Sequence, residues 1–168
     1  MIPTPVRTPV RTRVMNLLEA RDHVARNRED GVFCPCCGSY CKVYSRKLYG
    51  KIAYFLWWLV KAYENDPRWY HIDEALAELT LLGARGDYHK LHYWGLIEAK
   101  KDVDPEEKDP GYWRPTQVGI DFVYCRLRLP EIALVYMNKV IGWSEKMVDM
   151  AEALGKKWNY AELMGRSV

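Results

Sequence analysis

Residues 87–99, DYHKLHYWGLIEA, decide how this chain is read. Tyr88, Leu91 and Trp94 recur at helical spacing, and Gly95 can take the left-handed conformation that closes a helix. Leu96 to Ala99 then read as a strand. The same periodicity turns His89, Lys90 and Tyr93 outward, with Arg85 and Gly86 just before them. A strand needs a partner, and Tyr112-Trp113-Arg114-Pro115 supplies one after a polar, turn-rich excursion from Asp102 to Gly111. Thr116 is placed to cap a further helix, predicted through Arg126.

Upstream, Leu48, Ile52, Phe55, Leu56, Leu59 and Tyr63 fit a helix capped by Ser45 and stopped at Asn65-Asp66-Pro67. Its wide aromatic stripe is what a core helix needs. Trp69 to Ile72 reads as a short extended piece, and Asp73 as the cap of EALAEL. Val14 to Arg28 is expected to be helical, ended by Asp30-Gly31. Before it, the repeat TPVR-TPVR carries prolines that favour an extended, arginine-bearing arm. Downstream of Pro130, IALVYM and VIGW flank a turn expected at Asn138-Lys139. Ser144 is then expected to cap a helix, EKMVDMAEAL, ended by Gly155, and Trp158 to Met164 forms a last amphipathic piece.

This order of elements, with Leu91…Tyr93-Trp94-Gly95-Leu96-Ile97-Glu98 and Tyr112-Trp113-Arg114-Pro115-Thr116-Gln117-Val118-Gly119, resembles the winged helix-turn-helix fold of bacterial and phage transcription regulators such as the MarR and PadR families. The likeness covers about residues 46 to 128. It implies a recognition helix entering the major groove, and a wing at Asp102 to Gly111. Of the residues on and beside that helix, Arg85, His89, Lys90 and Tyr93 become candidate DNA contacts. Lys100 and Lys101 at the base of the wing join them, and so do Arg46 and Lys47. The wing itself departs from the pattern. It carries Asp102, Asp104, Glu106, Glu107 and Asp109 against Lys108 alone, and phosphate would repel it.

Charge is uneven along the chain. Residues 1–63 hold 11 Lys and Arg against 4 Asp and Glu, and residues 64–168 hold 14 against 18. A basic front on a chain of net charge +3 points to a polyanionic partner. The longest apolar run, Ile52 to Val60, is far short of the roughly 20 residues a membrane helix needs. No apolar signal-peptide core opens the chain, so a cytoplasmic location is expected.

Four of five cysteines crowd into CPCCGSYC, residues 34–41. An odd count in a reducing compartment, with Cys36 and Cys37 adjacent, disfavours bridges. Cys34-Pro35-Cys36-Cys37-Gly38 is similar to the knuckle of zinc-ribbon and rubredoxin-like sites, which implies a structural zinc ion. Cys34, Cys37 and Cys41 are the leading ligands. The fourth is open among Cys36, His23, His71 and Cys125. A deaminase-type site would need His-x-Glu ahead of Pro-Cys-x-x-Cys. His71-Ile72-Asp73 has neither the residue nor the position. His89 and His92 read as surface residues, and no glycine loop cradles phosphate.

The expectation is therefore a mainly α chain with a small antiparallel wing (α+β). Residues 1–30 form a basic arm and short helix, 31–45 a cysteine knuckle, 46–128 a winged helix-turn-helix, and 129–168 a hairpin and helices. More loosely, that combination is similar to small phage-encoded regulators of unknown role. The expected function is a non-enzymatic double-stranded DNA-binding regulator with structural zinc, whose C-terminal extension either pairs two copies as a homodimer or covers the core. Neither a membrane nor a small-molecule substrate is expected. The alternative is a module that binds a host or partner protein without DNA.

Overall fold

Residues 15–73, 75, 87–101 and 111–166 are described by a computed structural model, and they divide into two units, one ending at Tyr44 and the other beginning at Ser45. The TPVR repeat, Arg85, Gly86 and the acidic wing residues 102–110 lie outside the described residues.

The first unit opens with a helix, Leu17–Asn27. It starts at Leu17 because Asn16 is extended and caps it. The Asn16 side chain accepts from Glu19 N at 2.9 Å, and the Glu19 carboxylate accepts from Asn16 N at 3.1 Å. This reciprocal box is worth about 1 kcal/mol. At Gly31 φ is +100°, which turns the chain into a hairpin of β1 (Val32–Phe33) and β2 (Tyr40–Cys41). Val32 lies opposite Cys41, and Phe33 opposite Tyr40.

The second unit begins inside β3 (Tyr44–Lys47) and runs through a helix Gly50–Asn65, β4 (Tyr70–His71), a 3-10 helix Tyr88–Trp94, β5 (Ile97–Ala99), β6 (Tyr112–Pro115) and a helix Gln117–Val123. It continues with β7 (Leu129–Pro130), β8 (Ile132–Tyr136), β9 (Lys139–Trp143), β10 (Met147–Val148) and two short helices, Met150–Leu154 and Tyr160–Met164. The small sheets are β4-β6-β5, β3-β8-β9 and β10-β7. The architecture is thus mixed α and β, with more sheet than a wing alone would give. The Gly50–Asn65 helix is buried around its circumference, Phe55 to Val60 without a break, in one core with Leu91, Leu96, Phe122, Val135, Met150 and Leu163. Ala133, Val148, Ala153 and Leu154, also from the C-terminal segment, belong to that same core. The indole N–H of Trp94 donates to Pro130 O at 2.7 Å, and the Tyr160 hydroxyl donates to Val123 O at 2.9 Å.

Four sequence expectations are corrected. Ser45 does not cap a helix but sits within β3, and Leu48 N next to that strand donates to Glu131 O at 2.8 Å. The helix begins at Gly50, where a Cβ would come within 2.6 Å of Leu154 O and of the Trp158 ring. Glycine there lets the helix start pack flush against the C-terminal segment. Ser144 does not cap either. Its hydroxyl accepts from Ile132 N at 3.0 Å and donates to Lys146 O at 3.2 Å, which commits the next residues to β10. Helix entry is deferred to Asp149, which forms a capping box with Glu152. Finally, the β8–β9 turn falls at Met137-Asn138, not Asn138-Lys139. Both turn residues have positive φ (48° and 58°), the pair a tight I′ hairpin requires. The Gln117 helix is also shorter than expected, ending at Val123 before Cys125 turns left-handed at φ 54°.

Candidate nucleic-acid interface and cysteine hairpin

Two short sequence signals meet at one junction. Gly95, at φ 66°, closes the 3-10 helix, its N–H donating to His92 O at 2.9 Å. The Thr116 hydroxyl donates to Gly95 O at 2.5 Å and accepts from Gly119 N at 3.1 Å, while Thr116 N donates to Leu96 O at 3.1 Å. A Cβ on Gly119 would stand 2.1 Å from Leu96 O. Gly95-Leu96 and Thr116-x-x-Gly119 are therefore two halves of one joint. It fixes the 3-10 helix against the helix that follows the β5–β6 hairpin. In the sheet beside it, β6 is the central strand. Tyr70 and His71 pair with Trp113 and Tyr112 on one edge, and Ile97, Glu98 and Ala99 with Pro115, Arg114 and Trp113 on the other. Trp113 and Pro115 point inward. Arg114 points outward, bonded to Glu98 at 2.6 Å with its guanidinium 4.4 Å over the Trp69 ring.

Three residues per turn sort the 3-10 helix into rows. The row Tyr88, Leu91, Trp94 faces the core, with Leu91 and Trp94 buried. In the second row His89 and His92 stack at 6.3 Å, His89 half-buried and His92 exposed. In the third, Lys90 and Tyr93 are half-buried, and the Tyr93 ring lies 4.1 Å from His92. Lys90 is ion-paired with Asp87, which also accepts from the Tyr49 hydroxyl at 2.5 Å. Hydrogen bonds from Lys90 and then Tyr49 hold the Asp87 carboxyl below the usual carboxylate range. Burial, then the hydrogen bond to Asp87 and its charge, pushes the Tyr49 phenol up to about 12. Burial, and then the neighbouring His92 and Lys90, lower the His89 imidazole.

The other candidate contacts are dispersed. Lys100 is exposed, with its ammonium 5.4 Å over the Tyr112 ring, and Lys101 is exposed beside it. Arg46 is half-buried in β3. Lys47 is paired with Glu131 at 3.2 Å, and Lys146 reaches the same carboxylate at 3.1 Å. Those two lysines hold Glu131 below its ordinary value, Lys146 foremost. Arg85 lies outside the described residues. Sequence reasoning missed Tyr49, Asp87, Thr116 and Gly119 as the groups that position the helix. The spacing of Asp87 to Lys90, one 3-10 turn, was the available signal.

In the first unit, Cys34 N donates to Ser39 O at 2.8 Å and Gly38 N to Cys34 O at 2.9 Å, with Gly38 at φ 70°. The twofold alternation of the hairpin then segregates its side chains. Val32, Cys34, Ser39 and Cys41 share one face. Phe33, Tyr40 and Lys42 share the other. Cys37 Sγ lies 3.3 Å from Ser39 Oγ, and hydrogen bonds from Ser39 and then Cys34 lower its thiol pKa. Cys41 Sγ donates to Ser39 O at 3.6 Å, and Cys36 is exposed. Cys34, Cys37 and Cys41 thus gather toward one side. Among the described residues, however, no three His, Cys, Asp or Glu side chains stand close enough to hold a metal ion. Of the other candidate ligands, His23 is half-buried on the Leu17–Asn27 helix. His71 Nδ1 accepts from Asp73 N at 3.2 Å, and Cys125 neighbours the Tyr160 hydroxyl.

No helix among the described residues is long and apolar enough to cross a membrane. Compared with family models, curated proteins and solved structures, the chain matches none.

Proposed function

We propose that the second unit is a winged helix-turn-helix and that the chain binds double-stranded DNA as a transcription regulator, without catalytic activity. The observation that carries this reading is the β4-β6-β5 sheet. A two-residue strand after the first long helix returns to pair with the far strand of the hairpin, and the 3-10 helix enters that hairpin through Gly95. This arrangement presents one short helix beside one hairpin, the pair of elements such proteins lay on adjacent grooves. Lys100, Lys101 and His92 are exposed there, with Tyr93 alongside. Lys90 would have to leave Asp87 to reach a base.

The cysteine hairpin is read as a structural zinc knuckle. Cys34 and Cys37 would supply two thiolates, Cys41 a third by a small movement on the same face, and Cys36 stays a candidate for the fourth. Bound zinc would cross-link the hairpin and add folding free energy to the first unit.

A second reading is favoured by the internal pairing of Lys90 with Asp87 and Lys47 with Glu131, and by exposed Ile141, Trp143 and Met147. On that reading the chain binds a protein, a second copy of itself included, through its C-terminal strands. Selection from a random duplex pool across a salt series separates the two. Enriched sequences, with an affinity falling steeply with salt, support the DNA reading. Lys100→Ala with Lys101→Ala should then flatten the log–log slope by about 0.9 per lost phosphate contact. No enrichment, and weak binding at low salt, would transfer the assignment to a protein partner.

A further inference from the structure

The face of the β1–β2 hairpin opposite the cysteines has no part in the proposal above. Phe33 and Tyr40 lie across from one another on it with ring centroids 5.1 Å apart, and they remain 67% and 50% exposed. Two large rings left in water on four residues of strand are costly unless something covers them. Tyr40 is also closely seated. A Cβ at Gly31 would stand 2.0 Å from the Tyr40 hydroxyl oxygen and 3.3 Å from Lys42 Cδ. The tyrosine therefore lies over bare backbone at Gly31, with the Lys42 stem against the same glycine. Aromatic rings, held before any ligand arrives, sit next to one flexible cation.

From this geometry we infer that the Phe33–Tyr40 face is a stacking site for unpaired nucleobases, through which the first unit binds single-stranded nucleic acid. A base stacks on the open face of the Phe33 ring, Tyr40 braces that ring from the side, and the Lys42 ammonium meets the phosphate of the same or the next nucleotide. Charge favours this anionic occupant over a basic one. Residues 1–44 hold seven Lys and Arg against Glu19, Asp22, Glu29 and Asp30. The surplus is small, which sets the character of the binding. Bases supply most of the affinity and phosphates little of it. The site is independent of the duplex-binding reading, since it uses other residues and needs unstacked bases.

The test is fluorescence anisotropy of the full chain with a 5′-labelled twelve-nucleotide oligo(dT) and with the same backbone made abasic. The abasic strand should bind about 5- to 150-fold more weakly, the range that loss of one stacked base gives. Phe33→Ala should cause a similar loss on oligo(dT) and none on the abasic strand, while Phe33→Trp restores binding. Lys42→Ala should lower the salt slope by about 0.7 and leave the base dependence intact. An excess of blunt duplex should fail to displace the oligo(dT), so success or failure here is read apart from that of duplex recognition. Equal affinity for the two wild-type strands would overturn the proposal without recourse to any variant. So would an unaffected Phe33→Ala protein, or a concentration-dependent dimer that Phe33→Ala abolishes.

Discussion

Replacing Gly119 with alanine should lower stability, although helix propensity alone argues the reverse. Gly119 lies inside the Gln117–Val123 helix, where alanine is worth about 1 kcal/mol more than glycine. The new Cβ, however, would stand 2.1 Å from the carbonyl oxygen of Leu96 and 3.1 Å from its carbon, where Cβ contacts below 3.0 Å essentially never occur. The obstacle is backbone, which cannot rotate away, so the helix and the Gly95-Leu96 segment must separate by about 1 Å. Overpacking of this kind costs about 1–3 kcal/mol and often more when backbone moves. The separation also stretches the Thr116 N–Leu96 O bond, worth about 1 kcal/mol. Net destabilisation of about 1–3 kcal/mol follows, or a fall in melting temperature of roughly 2–12 °C for a chain of this size. Gly165→Ala is the control. Gly165 has a right-handed φ of −82° and nothing nearer than 3.7 Å, so it should melt unchanged or slightly higher. Differential scanning calorimetry decides the matter. A Gly119→Ala protein melting at or above the parent would show that the joint yields freely, and would remove the argument that it fixes the 3-10 helix.

Trp94→Phe removes the N–H that donates to Pro130 O and should cost about 1–2 kcal/mol in urea unfolding. An unchanged midpoint would mean that the bond contributes nothing. Met137→Asn with Asn138→Gly places the preferred pair at two positive-φ positions and should raise stability by about 1 kcal/mol. A fall would contradict the turn type. The Asp87 carboxyl titrates lower folded than unfolded, so the folded state binds fewer protons. Its contribution is complete above the ordinary Asp value and is lost as pH falls through the lower, folded one. Asp87→Asn should therefore be less stable at pH 7 and less acid-sensitive, read from urea midpoints between pH 7 and 2. His89, also lowered, adds stability above about pH 6.5 that is lost as pH falls below it. His89→Gln should flatten the curve between pH 7 and 5.

What was legible in the sequence was written in neighbouring residues. Gly95 closing a helix, Thr116 opening one and the paired strands of the hairpin depend on the chain within a few residues, and each lies where its local chemistry puts it. What was not legible depends on distant partners. Ser45 and Ser144 carry the hydroxyl of a helix cap. At Ser45 the backbone belongs to a strand of a sheet shared with β8, and the Ser144 hydroxyl serves Ile132 and Lys146. Strands of two residues, such as β7 and β10, carry no periodicity at all and exist only through their partners. The candidate site divides in the same way. Lys90 and Lys47 are cationic in sequence, but whether a cation is free depends on Asp87 and Glu131, and Glu131 lies 84 residues beyond Lys47. The segregation of thiols from aromatic rings needed only the hairpin register, which the two residues on each strand were too few to announce.

The sheet joining β3 to β8 has a consequence for how the chain is made. β3 occupies residues 44–47 and its partner residues 132–136, so the edge beside the long core helix stays open until residues 132–136 have been synthesised. Contacts of such long sequence separation close slowly, because loop entropy is lost before any contact is gained. During translation the helix Gly50–Asn65, with Trp57 and Trp58 uncovered, must wait on the ribosome for its last strands and helices. A nascent chain stalled near residue 128 would hold every piece of the helix–hairpin arrangement, yet lack the surface on which Trp94 and Leu48 come to rest.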